Sequence, residues 1–167
     1  LEFKTSIKST FNCPIERAFK TPMLCDISKI HTGFILSPKV EYTTEDGKWG
    51  QIGSTKKVHV AKCLTQSGGF LFIDKVLERK ENNYWKIEVS EFQQWIFGFY
   101  KFVGEWETTR ISKEETKVVY RYTMFANNPI LYPLNYAFVN LFWRFYMKRV
   151  VSNVKKLAYS HEPYQFK

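Results

Sequence analysis

Cysteine is scarce. Cys13, Cys25 and Cys63 are the only three in 167 residues, an odd number without CxxC spacing. That excludes a disulfide framework and a thiolate zinc site, and fits a reducing, cytoplasmic setting. Histidine is as sparse: His31, His59 and His161 lie far apart, with no HxH, HxxxH or HExxH spacing, so no metal is expected. GxGxxG, P-loop and GxSxG patterns are missing too, and with them the sequence grounds for cofactor-dependent redox, phosphoryl transfer or serine-hydrolase chemistry. No cofactor is expected. Acidic residues are the minority charge, 16 against 25 basic, for a net +9. The lysines are spread along the chain instead of forming a dense run, and no RNA-recognition aromatic motif occurs, so nucleic acid is not an expected partner. The first residues, LEFKTSIKSTF, alternate polar and apolar side chains, and no signal peptide is expected in them.

What is present is apolar and aromatic surface: 44% hydrophobic and 18% aromatic residues exclude a disordered or collagen-like chain. The length suits one domain able to bury roughly 70% of its unfolded surface. The longest apolar stretch, Ile130 to Met147, approaches a membrane span in length, yet Pro133, Asn135, Asn140 and Arg144 interrupt it. Groups of that kind are costly at bilayer depth, and a soluble chain is expected.

Period-two alternation predicts a first strand over Leu1 to Phe11 with Phe3, Thr5 and Ile7 on one face. Asn12, Pro14 and Glu16 suit the opening of a short helix, and a second short helix is expected near Pro22 to Ile30. Turn residues then separate six further strands: Lys39 to Thr44, Ile52 to Cys63, Phe70 to Lys80, Tyr84 to Gln93, Phe99 to Ile111 and Thr116 to Ala126. From Pro129 to about Ser160 the pattern is helical, capped by Asn127 or Asn128. Its first half is apolar around most of its circumference; beyond Met147 only a stripe of Val150, Val151, Val154 and Leu157 remains.

Hairpin arithmetic predicts which side chains face inward. Pairing Lys80 with Tyr84 around Glu81-Asn82-Asn83 sets Leu77 opposite Ile87, Lys75 opposite Val89 and Ile73 opposite Glu91. Lys75 and Glu91 would then share the inner face with Leu77, Trp85, Ile87 and Val89, as an ion pair in an apolar wall. A turn at Ile96-Phe97 sets Trp106 opposite Ile87 and Phe102 opposite Glu91; one at Lys113-Glu114-Glu115 sets Tyr122 opposite Trp106 and Tyr120 opposite Thr108. For the strand Ile52 to Cys63 two registers stay open, with either Lys57, His59 and Ala61 or Val58 and Val60 inward. The expected architecture is α+β: a curved antiparallel sheet of about seven strands, two short helices, and a long C-terminal helix over an internal cavity. Trp85, Phe102, Trp106, Tyr120 and Tyr122 would line the sheet side and Leu134, Phe138, Leu141, Phe142 and Phe145 the helix side.

This element order resembles the helix-grip fold of the START-like, pollen-allergen-like superfamily, also called SRPBCC or polyketide cyclase-like. Thr10-Phe11-Asn12-Cys13-Pro14-Ile15-Glu16-Arg17-Ala18-Phe19 is similar to that superfamily's entrance into its first helix, and Gly50 to Val60 (GQIGSTKKVHV) to its glycine-containing strand. The resemblance covers essentially the whole chain. It implies one ligand-binding domain over residues 1–167, and it favours Lys57 and His59 as pocket-facing, by likeness to the plant hormone receptors of the superfamily. Fold alone does not fix function within so varied a group. The expected function is binding or transport of a small hydrophobic ligand, such as a lipid, isoprenoid or aromatic compound. The alternatives are a cyclase, dehydratase or hydrolase using Glu91 with His59 or Tyr120 in the same cavity, or a partner-binding stress module. The apolar stretch Trp95 to Tyr100, close to basic residues, leaves three uses open: a cavity entrance, a homodimer contact or a transient foot on a membrane surface.

Overall fold

The computed structural model describes residues 1–167. β1 (Glu2–Phe11) buries Phe3, Thr5, Ile7 and Phe11 and exposes Lys4 and Lys8 between them. A helix follows, α1 (Ile15–Leu24), then a single 3-10 turn (Ile27–Lys29) in place of the expected second helix. The sheet is completed by β2 (Thr32–Phe34), β3 (Ser37–Glu45), β4 (Thr55–Val60), β5 (Gly69–Lys80), β6 (Tyr84–Ser90), β7 (Phe99–Arg110) and β8 (Thr116–Ala126). All pairings are antiparallel, in the order β1-β8-β7-β6-β5-β4-β3-β2. The eighth strand is β2, a short segment pairing with β3 through Thr32 to Lys39 and Phe34 to Ser37.

The register of β5 differs from the expected one at a single point. Lys80, Arg79 and Glu78 pair with Tyr84, Trp85 and Lys86 as the hairpin predicts, with Asn82 instead of Asn83 taking the left-handed conformation. Leu77 is then an extra, unpaired residue, so Val76 meets Ile87 and Asp74 meets Val89. One bulged residue exchanges the two faces of everything beyond it. Asp74 turns inward and is 6% exposed, while Lys75 stands in solvent. The β6–β7 and β7–β8 pairings are each displaced by two residues from the expected register, Trp85 facing Trp106 and Trp106 facing Tyr120. An even displacement keeps every side chain on its expected face.

Three tryptophans fasten α1 across the inner face. Trp106 Nε1 donates to the Ala18 carbonyl at 3.0 Å, Trp85 Nε1 to Phe19 at 2.8 Å and Trp49 Nε1 to Met23 at 2.7 Å. Pro22 lies inside α1 and has no N–H for the Ala18 carbonyl four residues back, which leaves that oxygen free for Trp106. Buried indole N–H groups need such partners, and each would be costly to leave unmade.

The C-terminal helix is continuous but not uniform: a 3-10 turn (Pro129–Leu131), an α segment (Tyr132–Ala137), a π-helical segment (Phe138–Trp143) and a final α segment (Arg144–Tyr159). Its buried stripe runs Asn135, Phe138, Val139, Tyr146, Met147, Val150, Val151, Val154 and Ala158. The four-residue steps of Phe138, Phe142, Tyr146, Val150, Val154 and Ala158 would drift round an ideal α-helix of 3.6 residues per turn. The wider π turn takes up that drift and keeps the stripe on the sheet. Arg17 of α1 closes the far end of this helix, donating to the carbonyls of Leu157 and Glu162 at 3.0 Å each and of Ala158 at 3.3 Å, with its guanidinium 4.7 Å from the Tyr164 ring. A cation on the last carbonyls satisfies the helix end and opposes its dipole. Arg17→Ala should lower unfolding stability by about 2 kcal/mol in urea titrations, because several charge-assisted hydrogen bonds vanish together. A loss indistinguishable from zero would mean that this closure contributes nothing.

Candidate functional site

Between helix and sheet the side chains fail to meet, leaving a cavity of about 100 Å³ lined by 22 residues, 17 of them hydrophobic. The sheet contributes Val60, Leu71, Phe72, Asp74, Ile87, Val89, Phe102 and Tyr122, and the helix Phe138, Phe142, Trp143 and Tyr146. Residues of three loops, Leu36, Gln66, Phe92, Ile96 and Phe97, with Ser37 at the start of β3, form its outer wall. A second cavity of about 50 Å³ lies nearer α1, against Met23, Trp85, Trp106, Tyr120 and Val150. His31, Ile87 and Tyr122 line both and so form the partition. Gly104 makes room for that partition: a Cβ there would sit 3.1 Å from Tyr122 Cζ and 3.2 Å from Ile87 Cγ1.

Of the residues expected to line the space, Ile87, Val89, Phe102, Tyr122, Phe138 and Phe142 line the larger cavity, and Trp85, Trp106 and Tyr120 the smaller one. The others do not. Lys57 and His59 point outward because β4 buries Lys56, Val58 and Val60 instead, and His59 stacks on Tyr42 with ring centroids 4.4 Å apart on the outer face. Lys75 is exposed by the bulge, and Leu77 is the bulged residue itself. Glu91 lies beyond the end of β6, exposed, with φ at 55°, so neither the Lys75–Glu91 pair nor a set of Glu91, His59 and Tyr120 is assembled. Leu134, in the α segment before the π turn, is 44% exposed; Leu141 and Phe145 are 63% and 60% exposed, and Trp143 and Tyr146 line the cavity in their place as the π turn shifts the helical phase.

The ion pair inside the fold is a different one. Lys56 Nζ lies 3.9 Å from Asp74 Oδ2 and 3.9 Å from the centre of the Trp49 ring, with both charged side chains almost fully buried. Asp74 lines the larger cavity, and its Oδ1 has no hydrogen-bond partner in the protein. Desolvation pushes the Asp74 carboxyl up to about 6 against the pull of Lys56, and pushes the Lys56 ammonium down to about 8 against the pull of Asp74. His31 is driven down to about 4 by burial and by Lys56, so it is neutral at physiological pH, with Nδ1 2.5 Å from the Tyr146 hydroxyl. Burial also raises the hydroxyls of Tyr120, Tyr122 and Tyr146, Tyr122 to about 12, which keeps all three neutral. The interior therefore offers one carboxylate, neutral hydroxyls and an imidazole within an aromatic shell. Sequence pattern missed Asp74 because it faces outward in the unbulged register, and Lys56 because the face of β4 was open: the register that turns Val58 and Val60 inward buries Lys56 with them. A bulge leaves no periodic signal here.

No protein-family model and no curated protein sequence matches the chain. Solved structures do. Norcoclaurine synthase from Thalictrum flavum, in complex with a transition-state analogue, is similar with a TM-score of 0.69 at 11% identity, over 98% of each chain. The ZhuI aromatase/cyclase from Streptomyces sp. R1128 gives 0.67 at 11% identity, over 98% of this chain and 97% of that one. SA2116, a Staphylococcus aureus protein of unknown function, gives 0.70 at 10% identity over 96% of each. At such identities the likeness concerns the fold alone: this chain has the helix-grip fold that those structures share. No helix in it is long and apolar enough to cross a membrane.

The buried titratable groups make stability depend on pH in opposing ways. Asp74, raised in the folded state, contributes stability below its unfolded value of 3.8 that is lost as pH rises through about 6. His31, lowered, contributes stability above 6.5 that is lost as pH falls through about 4. Between pH 6.5 and 4 the two oppose each other. His31→Gln should therefore retain more of its stability on acidification across that window than the parent protein, as read from thermal midpoints at each pH. Parallel curves would contradict the burial of a neutral imidazole.

Proposed function

We propose that residues 1–167 act as one domain that binds, and in doing so carries, a small hydrophobic ligand in the space between helix and sheet. The observation behind this is the gap itself, about 100 Å³ with a largely apolar and aromatic lining. An apolar cavity of about 150 Å³ admits benzene; at about 100 Å³ this one takes a single ring once a lining side chain shifts. A longer isoprenoid or acyl chain requires the half-buried outer residues Ile96, Phe97 and Phe142 to turn aside, or Tyr122 to open the partition. The fold's use by neighbours of this shape supports the reading: a structure of norcoclaurine synthase holds dopamine and hydroxybenzaldehyde. The three free thiols, Cys13 and Cys25 of them buried, suit a reducing cytoplasm.

Filling the gap tests the proposal. Val89→Phe places a ring where the lining is now short, and should reduce the binding of an environment-sensitive apolar dye at least tenfold while the folded near-ultraviolet dichroism is kept. Undiminished dye binding by a folded Val89→Phe protein would move the ligand site elsewhere.

A second reading has its own observation. Ile35, Leu64 and Trp95, exposed at 70%, 86% and 64%, each lie within two residues of a cavity-lining residue, in the three loops at the cavity's outer wall. The three loops are joined by Thr65 Oγ1 donating to the Leu36 carbonyl and Gln66 Nε2 to the Trp95 carbonyl, so they form one apolar rim; the C-terminal helix adds the exposed Leu141 and Phe145, with Arg144 and Lys148 beside them in sequence. Such a rim fits loading from an anionic membrane surface. Vesicles containing phosphatidylglycerol should blue-shift the emission of the parent protein more than of Trp95→Ser, and phosphatidylcholine vesicles should not. A concentration-dependent dimer abolished by Trp95→Ser would make the rim a self-contact instead. Catalysis in the same cavity would draw on Asp74, Tyr122 or the His31–Tyr146 pair, since the acid-base set expected from sequence is not assembled.

A further inference from the structure

The polar atoms of the larger cavity narrow the ligand class. Resting on the reading that this cavity holds an apolar guest, we propose that the guest is a neutral, single-ring-sized aromatic bearing one hydroxyl, and that this hydroxyl donates its hydrogen bond to Asp74 Oδ1. Four features of the site lead there. Asp74 is 6% exposed, and while Oδ2 faces Lys56, Oδ1 is buried without a partner against the cavity. A buried carboxylate oxygen in that state is a strong acceptor waiting for a donor.

Charge then decides among donors. Lys56 offsets the carboxylate from behind, seated over the Trp49 ring and outside the cavity lining. An ammonium-bearing guest would bring an unbalanced positive charge into the apolar space, and a carboxylate-bearing guest would meet Asp74 itself. A neutral O–H avoids both penalties.

A hydroxyl that donates to Asp74 keeps lone pairs that accept, and Trp143 Nε1–H is a buried donor with no partner lining this cavity; Gln66 Oε1, a second buried acceptor on the lining, competes with Asp74 for the single proton. An ether or a simple hydrocarbon supplies no donor for Asp74. Lastly, the walls are built for a ring: Phe92 and Phe102 lie 4.9 Å apart between centroids, Phe102 and Trp143 5.5 Å, and Phe138 and Phe142 5.2 Å, so a guest ring meets aromatic faces and edges.

The test uses the full chain with phenol, benzene, anisole, benzoate and benzylammonium, each titrated at pH 7.5 and followed by amide shifts in two-dimensional NMR. Phenol should bind about tenfold or more tightly than benzene and anisole, with both ions weaker than phenol. Removing both charges together, in Lys56→Met with Asp74→Leu, replaces a buried ion pair by apolar groups, a change proteins tolerate well. That double variant should still bind benzene and should lose the preference for phenol. Equal affinity for phenol and benzene in the parent protein, a preference retained by the double variant, or tighter binding of either ion would overturn the proposal. Absence of benzene and phenol binding alike would overturn the cavity reading beneath it.

Discussion

One unpaired residue in β5 determines what the interior of this protein is made of. Without the bulge at Leu77, the inner wall would carry Lys75 and Ile73; with it, the wall carries Asp74 and Phe72. A one-residue shift has no intermediate outcome, because strand side chains alternate strictly. The bulge also requires a compensating cation, and β4 supplies it by burying Lys56 in place of Lys57. The two strands have thus settled on registers that bring one acid and one base together in the dry interior. A buried charge left alone there would be strongly destabilising.

The cavity persists because its two walls are held from behind. α1 is tied to Trp49, Trp85 and Trp106 by three indole hydrogen bonds and to the end of the C-terminal helix by Arg17, and so links sheet and helix beside the cavity. The helix lies along the sheet with its stripe kept in phase by the π turn. Neither wall can collapse onto the other without breaking these contacts. An apolar interior normally packs to crystal-like density, so a persistent gap points to use more than to accident.

Much of the architecture was legible in the sequence. Element order, antiparallel sheet and C-terminal helix follow from period-two and helical patterning with turn residues between, and the even displacements of β6, β7 and β8 left Trp85, Val89, Phe102, Trp106 and Tyr122 on the expected face. What was not legible has two physical causes. A bulge changes parity without changing composition, so Lys75 was read as inward where Asp74 is. A π turn changes helical phase in the same silent way, so Leu141 and Phe145 were read as inward where Trp143 and Tyr146 are. The β4 face was ambiguous from pattern, and the family likeness favoured the wrong side of it.

The account stands on a largely apolar space whose wall includes a carboxylate. Xenon enters dry apolar cavities and is directly visible in a crystal. Diffraction from crystals held under xenon pressure should show a gas atom bounded by Phe102, Phe142 and Trp143, within reach of Asp74. An interior that admits no xenon at that position would contradict the account.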